Sequence, residues 1–402
     1  MRREPLLLWA AVVAGLALLC LVAFCALFPP EIDAQTLAHF ERDQVERAQD
    51  YAQVRYLLFA GGQALVILLL SAAVLVLFRQ GWLPFPGANP YLQVATFVLL
   101  LLVAIELVTL PLDYYRGFVL EHRFGLSTQT TGQWLGDQVL GFLVRTVLTL
   151  VVFTGLFLII RAVPAYWPVV ASAAFGLFLV VQSVISPVII DPLFHKFHPL
   201  PEGPFRERVV SMADQAGIEV GEVLVADASR RTTRANAYVT GLGNTKRIVF
   251  YDNLLNRFSQ REAELVLAHE IGHWRHRHII KGIVMGVGGA LVFFLLYRLI
   301  LGGYGVPAGH PATVPVLLLF VTVFSLLAMP AQNAVFRSFE RQADRVSLEL
   351  TGDAAGAVQL YQNLARTNLA DVQPHPFIRT VLFTHPPAVE RISAAEQWVV
   401  KR

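Results

Sequence analysis

Seven long apolar stretches constrain the fold of this 402-residue chain more than any other feature of its sequence. Each stretch is long enough to cross about 30 Å of hydrocarbon as a helix. Because a segment in lipid must satisfy its backbone hydrogen bonds internally, the stretches predict membrane-spanning helices. They are Leu6–Phe28, Leu57–Phe78, Leu92–Leu112, Val139–Ile160, Pro168–Ile190, Gly282–Leu301 and Ala312–Ala331.

The composition favours a protein whose main partner is a lipid bilayer. Hydrophobic residues make up 55 % of the chain and charged residues 15 %, whereas a soluble domain carries about 25 % charged residues. Such a chain is neither a disordered segment nor an ordinary soluble enzyme. The net charge of +3 comes from 32 basic and 29 acidic residues without a basic block, so we expect no nucleic-acid partner.

The first stretch has features of both a signal peptide and a permanent membrane anchor. Arg2 and Arg3 precede it, but no small-residue cleavage site follows, so we expect an uncleaved anchor. The positive-inside rule does not orient the chain, because its short early loops carry four arginines on one side and five on the other.

Two polar regions, at residues 191–281 and 332–402, follow the fifth and seventh stretches. They divide the chain into a five-helix membrane region (1–190), a first polar region, a membrane hairpin (282–331) and a second polar region. Since two spans separate the polar regions, both lie on the same side of the membrane and can form one folded unit.

The first polar region is predicted to be mixed α/β. Its pattern indicates a helix over Pro204–Ala216 and a strand over Glu222–Ala226. A Gly-rich turn between Asn236–Thr240 and Ile248–Tyr251 predicts a β-hairpin.

A further helix in this region carries a metal-binding pattern. A capping box, Ser259 to Glu262, is predicted to open the helix, which continues through His269-Glu270-Ile271-Gly272-His273. Residues i and i+4 share one helical face, so both imidazoles can bind one zinc ion. Glu270 lies next to the first histidine and is a candidate general base. The alternative is a polar helix with two unrelated histidines.

The second polar region offers a third ligand. A catalytic zinc ion is normally held by three protein ligands. Glu340 and Asp344 are again one helical turn apart, so Glu340 is predicted to bind the metal and Asp344 to orient a ligand histidine. The alternative is a solvated helix face.

Three other residues are candidates for contacts with a substrate. His385 and Arg391 could stabilise an oxyanion or bind a peptide carbonyl, although the Pro386-Pro387 pair is equally explained by a helix start. Asn236 opens the predicted hairpin, whose edge could bind an extended peptide; the alternative is a purely structural strand. His276 and His278 are expected to be polar surface or interfacial residues rather than further ligands.

Three motifs carry a family resemblance. HEIGHW at 269–274, SFERQAD at 338–344 and THPPAVERI at 384–392 resemble the type I CaaX prenyl endopeptidases, which are integral-membrane zinc metalloproteases. The likeness extends upstream to PLDYY at 111–115 and IDPLF at 190–194. One departure is His195, where family members often have asparagine.

The resemblance implies a mostly α-helical membrane protein. Seven transmembrane helices would surround a chamber capped by a mixed α/β zinc-metalloprotease domain of gluzincin type, formed by the two polar regions. It also implies one zinc ion and a cytosolic catalytic face. The implied roles are His269, His273 and Glu340 as ligands, Glu270 as general base, His385 and Arg391 as contacts to the substrate and transition state, and Asn236 as part of the substrate-binding edge.

We therefore expect a membrane zinc endopeptidase of CaaX-protease type, in a bacterial inner membrane, acting on peptides or proteins with or without a prenyl group. One alternative is a quality-control protease that cuts misfolded membrane proteins. Another is a protease with its site inside the bilayer, which the charged Arg261, Glu262 and Arg275 around the motif disfavour. The last is a non-enzymatic scaffold, which the complete set of catalytic residues disfavours.

Overall fold

The computed structural model describes residues 6–80, 89–217 and 221–400; Arg2 and Arg3 lie outside these ranges. The helices in this part of the chain are α1 (Leu6–Leu27), α2 (Ala34–Leu37), α3 (Arg42–Gln80), α4 (Pro90–Tyr114), α5 (Leu120–Arg123), α6 (Thr131–Ala162), α7 (Trp167–Ile185), α8 (Asp191–Phe194), α9 (Pro204–Gln215), α10 (Asp252–Arg257), α11 (Gln260–Arg275), α12 (His278–Tyr304), α13 (Val314–Thr351), α14 (Ala354–Asn368), α15 (Pro376–Leu382) and α16 (Ala388–Val400). The strands are β1 (Phe197–Pro199), β2 (Glu222–Ala226), β3 (Ala237–Thr240) and β4 (Arg247–Tyr251).

Seven helices in the described ranges are long and apolar enough to cross a membrane, which confirms the predicted number of spans. Two of them are longer than one α-helix, because π-helical turns at Tyr115–Val119 and Ser186–Ile190 join α4 to α5 and α7 to α8. The spans pack against each other through buried side chains from α1, α3, α6, α12 and α13, among them Leu8, Ile67, Phe157, Tyr297 and Val323.

Helix α13 differs most from the sequence-based prediction. The apolar stretch ends at Ala331, but the helix continues to Thr351 without interruption, with Pro330 inside it. Its 38 residues are about 57 Å long at 1.5 Å per residue, nearly twice the thickness of the hydrocarbon core. One rigid element therefore joins the last span to the second polar region.

A small mixed sheet forms in the first polar region. Its strand order is β1-β2-β4-β3, with β2 and β4 parallel and the other pairs antiparallel. The predicted strand over Glu222–Ala226 matches β2, and the predicted hairpin is β3 and β4. Gly241 makes the turn at φ +86°, where a Cβ atom would lie 2.0 Å from the carbonyl oxygen of Thr245. Strand β3 is thus left at the sheet edge that faces α11.

The two polar regions share one hydrophobic core. Helices α11, α14 and α16 and the sheet bury their apolar faces together, with Leu267 and Ile271 from the first region against Leu348, Leu360 and Ile392 from the second. Helix α11 also lies directly on α13. A Cβ atom on Gly272 would come within 2.8 Å of the Ala343 Cα atom, so only glycine permits this approach. This contact brings His269 and His273 on α11 next to Glu340 and Asp344 on α13.

Candidate active site

A capping box fixes the first residue of helix α11, which carries two histidines further along. The Ser259 hydroxyl accepts from the Glu262 amide at 3.3 Å, and the Glu262 carboxylate accepts from the Ser259 amide at 2.9 Å, which confirms the predicted capping box. Ten residues further along this helix, His269 and His273 point the same way, with their Nε2 atoms 3.1 Å apart.

Glu340 on α13 completes a cluster of three possible metal ligands. Its Oε2 atom lies 3.2 Å from His269 Nε2 and its Oε1 atom 3.5 Å from His273 Nε2. The three ligand atoms lie within 4.8 Å of one another. The Glu340 Oε2 atom is buried and receives no hydrogen bond within the described part of the chain.

The donor atoms of this cluster fit a cation. The Nδ1 atom of His269 lies 2.8 Å from Asp344 Oδ1, so the ring proton is on Nδ1 and the lone pair of Nε2 faces Glu340. Two lone pairs that face each other are stabilised when a metal ion lies between them. Two imidazoles and one carboxylate, with room for water or substrate, form a typical catalytic zinc set.

Asp344 and Arg391 form a buried pair behind this cluster. The guanidinium Nε donates to Asp344 Oδ2 at 2.9 Å and its Nη2 atom donates to Oδ1 at 2.5 Å. The guanidinium also stacks on Tyr361, 4.1 Å from the ring centroid. Arg391 therefore neutralises the carboxylate that orients His269, a contact that sequence spacing could not indicate.

Glu270 lies beside the metal-ligand cluster and is buried. Its Oε2 atom accepts from the backbone amide of Val239 at 3.1 Å. Burial raises the pKa of Glu270 to about 7, while the hydrogen bond from the Val239 amide opposes that rise. A carboxylate with a pKa near neutrality can both accept and return a proton.

A cavity of about 650 Å³ is lined by six of the predicted site residues, namely Asn236, His269, Glu270, His273, His385 and Arg391, whereas Glu340 and Asp344 are not part of its lining. Strand β3, helix α11 and the segment from Phe383 to Arg391 line it. Asn236 is exposed on its wall directly before β3, and its carbonyl accepts from the Tyr251 amide at 2.9 Å. His385 is also on the wall, with its Nε2 atom 3.2 Å from Glu340 Oε2 and its side chain 59 % exposed.

His278 is not a surface residue, so that part of the expectation is wrong. It is only 6 % exposed and its Nδ1 atom lies 2.9 Å from His273 Nδ1. The chain turns sharply at Arg277, whose φ of 54° is left-handed, and this turn directs His278 back towards the site. A sequence pattern does not reveal such a turn, because arginine is not a residue that favours a left-handed backbone. His276 is half-buried beside it.

These features define an integral-membrane metalloprotease: membrane-spanning helices, a cluster of side chains that could hold a metal ion and an adjacent buried glutamate. Two family profiles match the chain. Residues 199–399 match the profile described as peptidase family M48, and residues 26–196 match that described as CAAX prenyl protease N-terminal, five membrane helices. The chain belongs to the M48 peptidases and is a membrane metalloprotease of the CaaX prenyl protease type, as the motifs predicted. Membership of M48 implies a metal cofactor.

Curated relatives cover most of the chain. The uncharacterised metalloprotease YhfN of Bacillus subtilis is 34 % identical over 366 residues, which are 87 % of this chain and 85 % of that protein. CAAX prenyl protease 1 of Saccharomyces cerevisiae is 29 % identical, over 88 % of this chain and 82 % of the yeast protein. The crystal structure of S. mikatae Ste24p has the same fold, with a TM-score of 0.81, 23 % identity and coverage of 98 % and 99 %.

Proposed function

We propose that this protein is a zinc-dependent endopeptidase whose ligands are His269, His273 and Glu340 and whose general base is Glu270. The observation that carries the proposal is the convergence of three ligand atoms within 4.8 Å beside a buried glutamate. Zinc suits a site with two imidazoles and one carboxylate. A zinc ion bound there would lower the pKa of a water molecule and polarise the scissile carbonyl.

Glu270 takes the proton in this mechanism. Its carboxylate accepts a proton from the attacking water and later donates it to the leaving amine. The Val239 amide holds the Oε2 atom in one orientation, which leaves Oε1 for the proton. His385, with its exposed imidazole near Glu340, stabilises the developing oxyanion. Arg391 keeps Asp344 ionised and, from the cavity wall, contacts the substrate.

The substrate is an extended peptide that pairs with strand β3. Backbone groups alternate along a strand, and the Asn236 carbonyl faces β4 while the Val239 amide faces the cavity. The Val239 amide is bound to Glu270, but the other outward-facing backbone groups of β3 can pair with a peptide strand, with Asn236 at its start. The names of the yeast and plant relatives as CAAX prenyl proteases support a prenylated substrate.

The domain organisation and membrane orientation are part of the same proposal. Residues 191–281 and 332–402 form one catalytic unit, which the shared core of α11, α14 and α16 supports. Residues 1–190 and 282–331 form the membrane region around a chamber. The chain lies in the inner membrane of a bacterium, and its catalytic unit faces the cytoplasm.

Cleavage of a farnesylated CaaX reporter peptide tests the proposal. Purified wild type and Glu270→Ala are compared with and without a chelator, alongside the same peptide without the farnesyl group. We expect cleavage by the wild type that both chelator and mutation abolish, while Glu270→Ala retains zinc. Undiminished turnover by Glu270→Ala contradicts the mechanism. Cleavage of the unprenylated peptide alone contradicts the CaaX-type substrate and points to quality control.

A further inference from the structure

The two histidines of the ligand cluster have different partners for their outward ring nitrogens. His269 Nδ1 meets a carboxylate, Asp344 Oδ1, at 2.8 Å. His273 Nδ1 instead meets another imidazole, His278 Nδ1, at 2.9 Å. A histidine that binds metal through Nε2 carries its proton on Nδ1 and needs an acceptor there. The partner of His273 must therefore be able to accept.

The hydrogen bonds of His278 define which of its nitrogens is protonated. If His273 donates from Nδ1, the Nδ1 atom of His278 accepts and its proton is on Nε2. That Nε2 atom lies 3.3 Å from Gln342 Oε1. The amide of Gln342 is oriented by its own contact, because its Nε2 atom donates to Ser338 Oγ at 3.3 Å. Every donor in this series of hydrogen bonds, from His273 through His278 to Gln342 and Ser338, faces an acceptor.

The imidazole of His278 is also held in place by packing. It stacks on Phe339, with ring centroids 4.2 Å apart and planes 9° from parallel. Phe339 is next to Glu340 on α13, and Gln342 lies two residues after Glu340. The left-handed turn at Arg277 brings the ring into this position from the other side. Only 6 % of the residue is exposed.

We propose that His278 is a positioning residue that orients His273 for zinc by accepting the Nδ1 proton of His273, with Gln342 holding His278 in the tautomer that can accept. The inference rests on the proposed zinc site and deepens it. Each proposed ligand histidine then has its own partner. His269 has Asp344 on α13, and His273 has His278 at the start of α12, which Gln342 on α13 holds.

Zinc affinity measured by competition with a chromogenic chelator tests this role. His278→Phe retains an aromatic ring against Phe339 but has no acceptor, and we expect zinc affinity to fall about 10- to 100-fold. His278→Asn restores an acceptor near the Nδ1 position, and affinity should return to within a few-fold of wild type. His276→Phe is the matched control on the same turn and should bind zinc like wild type.

Substitutions of Gln342 test the same series of hydrogen bonds without replacing a histidine. Gln342→Leu removes the acceptor for His278 Nε2 and should weaken zinc binding in the same direction but less than His278→Phe. Gln342→Glu keeps an acceptor and should retain affinity. Because Gln342 is half-buried in contact with His278, thermal unfolding in detergent checks that each variant is folded.

Three outcomes overturn the inference. Wild-type affinity in His278→Phe shows that no acceptor is needed. Equal losses in His278→Phe and His278→Asn show that an acceptor at this position does not restore zinc affinity. Wild type that binds no zinc overturns the proposed zinc site itself, and so distinguishes failure of the proposed function from failure of the role of His278.

Discussion

The Nδ1 atom of His269 lies 2.8 Å from Asp344 Oδ1, although 75 residues separate them in the chain. The same carboxylate binds Arg391 through both of its oxygens. One buried aspartate therefore joins a predicted metal ligand on α11 to the start of α16. Because a carboxylate accepts only, it requires the proton of His269 on Nδ1 and leaves Nε2 for the metal.

Replacing Asp344 by asparagine should weaken metal binding and the fold together. The amide presents one acceptor instead of two and leaves the Arg391 guanidinium buried without a counter-charge. We expect zinc affinity about 10- to 100-fold lower and stability about 3–5 kcal/mol lower, as for a broken buried ion pair. Chelator competition and thermal unfolding in detergent measure the two effects.

Glu349→Gln is the control for that substitution. Glu349 lies on the same helix but is 44 % exposed and 3.7 Å from its partner Arg275, so its removal should change stability by less than about 1 kcal/mol. Equal effects of the two substitutions would contradict the role of Asp344.

Glu340→Ala should lose zinc, because it removes one of three proposed ligands and leaves two imidazoles. Metal analysis of the purified protein after dialysis measures the loss. Glu270→Ala is the matched control, since Glu270 is not a proposed ligand and its variant should retain zinc. Full zinc occupancy in Glu340→Ala would refute the ligand role of Glu340.

Gly272→Ala should separate the two helices that carry the site. Its new methyl group would lie 2.8 Å from Ala343 Cα and 3.1 Å from the Ala343 carbonyl oxygen. We expect a loss of about 1–3 kcal/mol in stability, typical of overpacking, and reduced zinc affinity because the distance from the histidines to Glu340 grows.

Gly282→Ala controls for helix propensity, because no heavy atom lies within 4 Å of its added Cβ. Its stability should be unchanged or higher by about 0.5–1 kcal/mol. If Gly272→Ala unfolds at the same temperature as Gly282→Ala, close packing at Gly272 does not limit the helix contact.

Asp371 predicts a specific pH dependence of stability. Burial raises its pKa from 3.8 to about 6, although the Tyr56 hydroxyl donates to its Oδ2 atom at 2.9 Å. The folded protein therefore holds this proton more tightly than the unfolded chain, and stability falls as the pH rises from about 4 to about 6. The contribution amounts to about 3 kcal/mol at most.

Asp371→Asn should remove that fall. The unfolding temperature of the variant minus that of wild type should therefore be greater at about pH 7 than at about pH 4. Asp353→Asn is the control of opposite sign. A hydrogen bond from Arg261 lowers the pKa of Asp353, so this variant should lose more stability at about pH 7 than at about pH 4. A difference between Asp371→Asn and wild type that does not change with pH would contradict the prediction.

The features that sequence reasoning predicted well are local ones. Seven spans follow from uninterrupted hydrophobicity, and the facing of His269 and His273 follows from the period of a helix. The capping box at Ser259 and the hairpin turn at Gly241 follow from backbone chemistry within a few residues. The sequence predicts the last span and a helix at Glu340 and Asp344 but not that they form one continuous helix, because hydrophobicity stops at the membrane surface whereas helical hydrogen bonding does not.

The class of protein, the membrane spans and the residue types of the candidate metal site follow from the sequence alone, since each depends on composition or on spacing within one element. Which distant groups meet depends on the tertiary fold. The contact of Gly272 with Ala343 brings Asp344 to His269, and the left-handed turn at Arg277 buries His278 against His273. Such contacts depend on the packing of whole helices, and packing is a property of the assembled core rather than of any short segment.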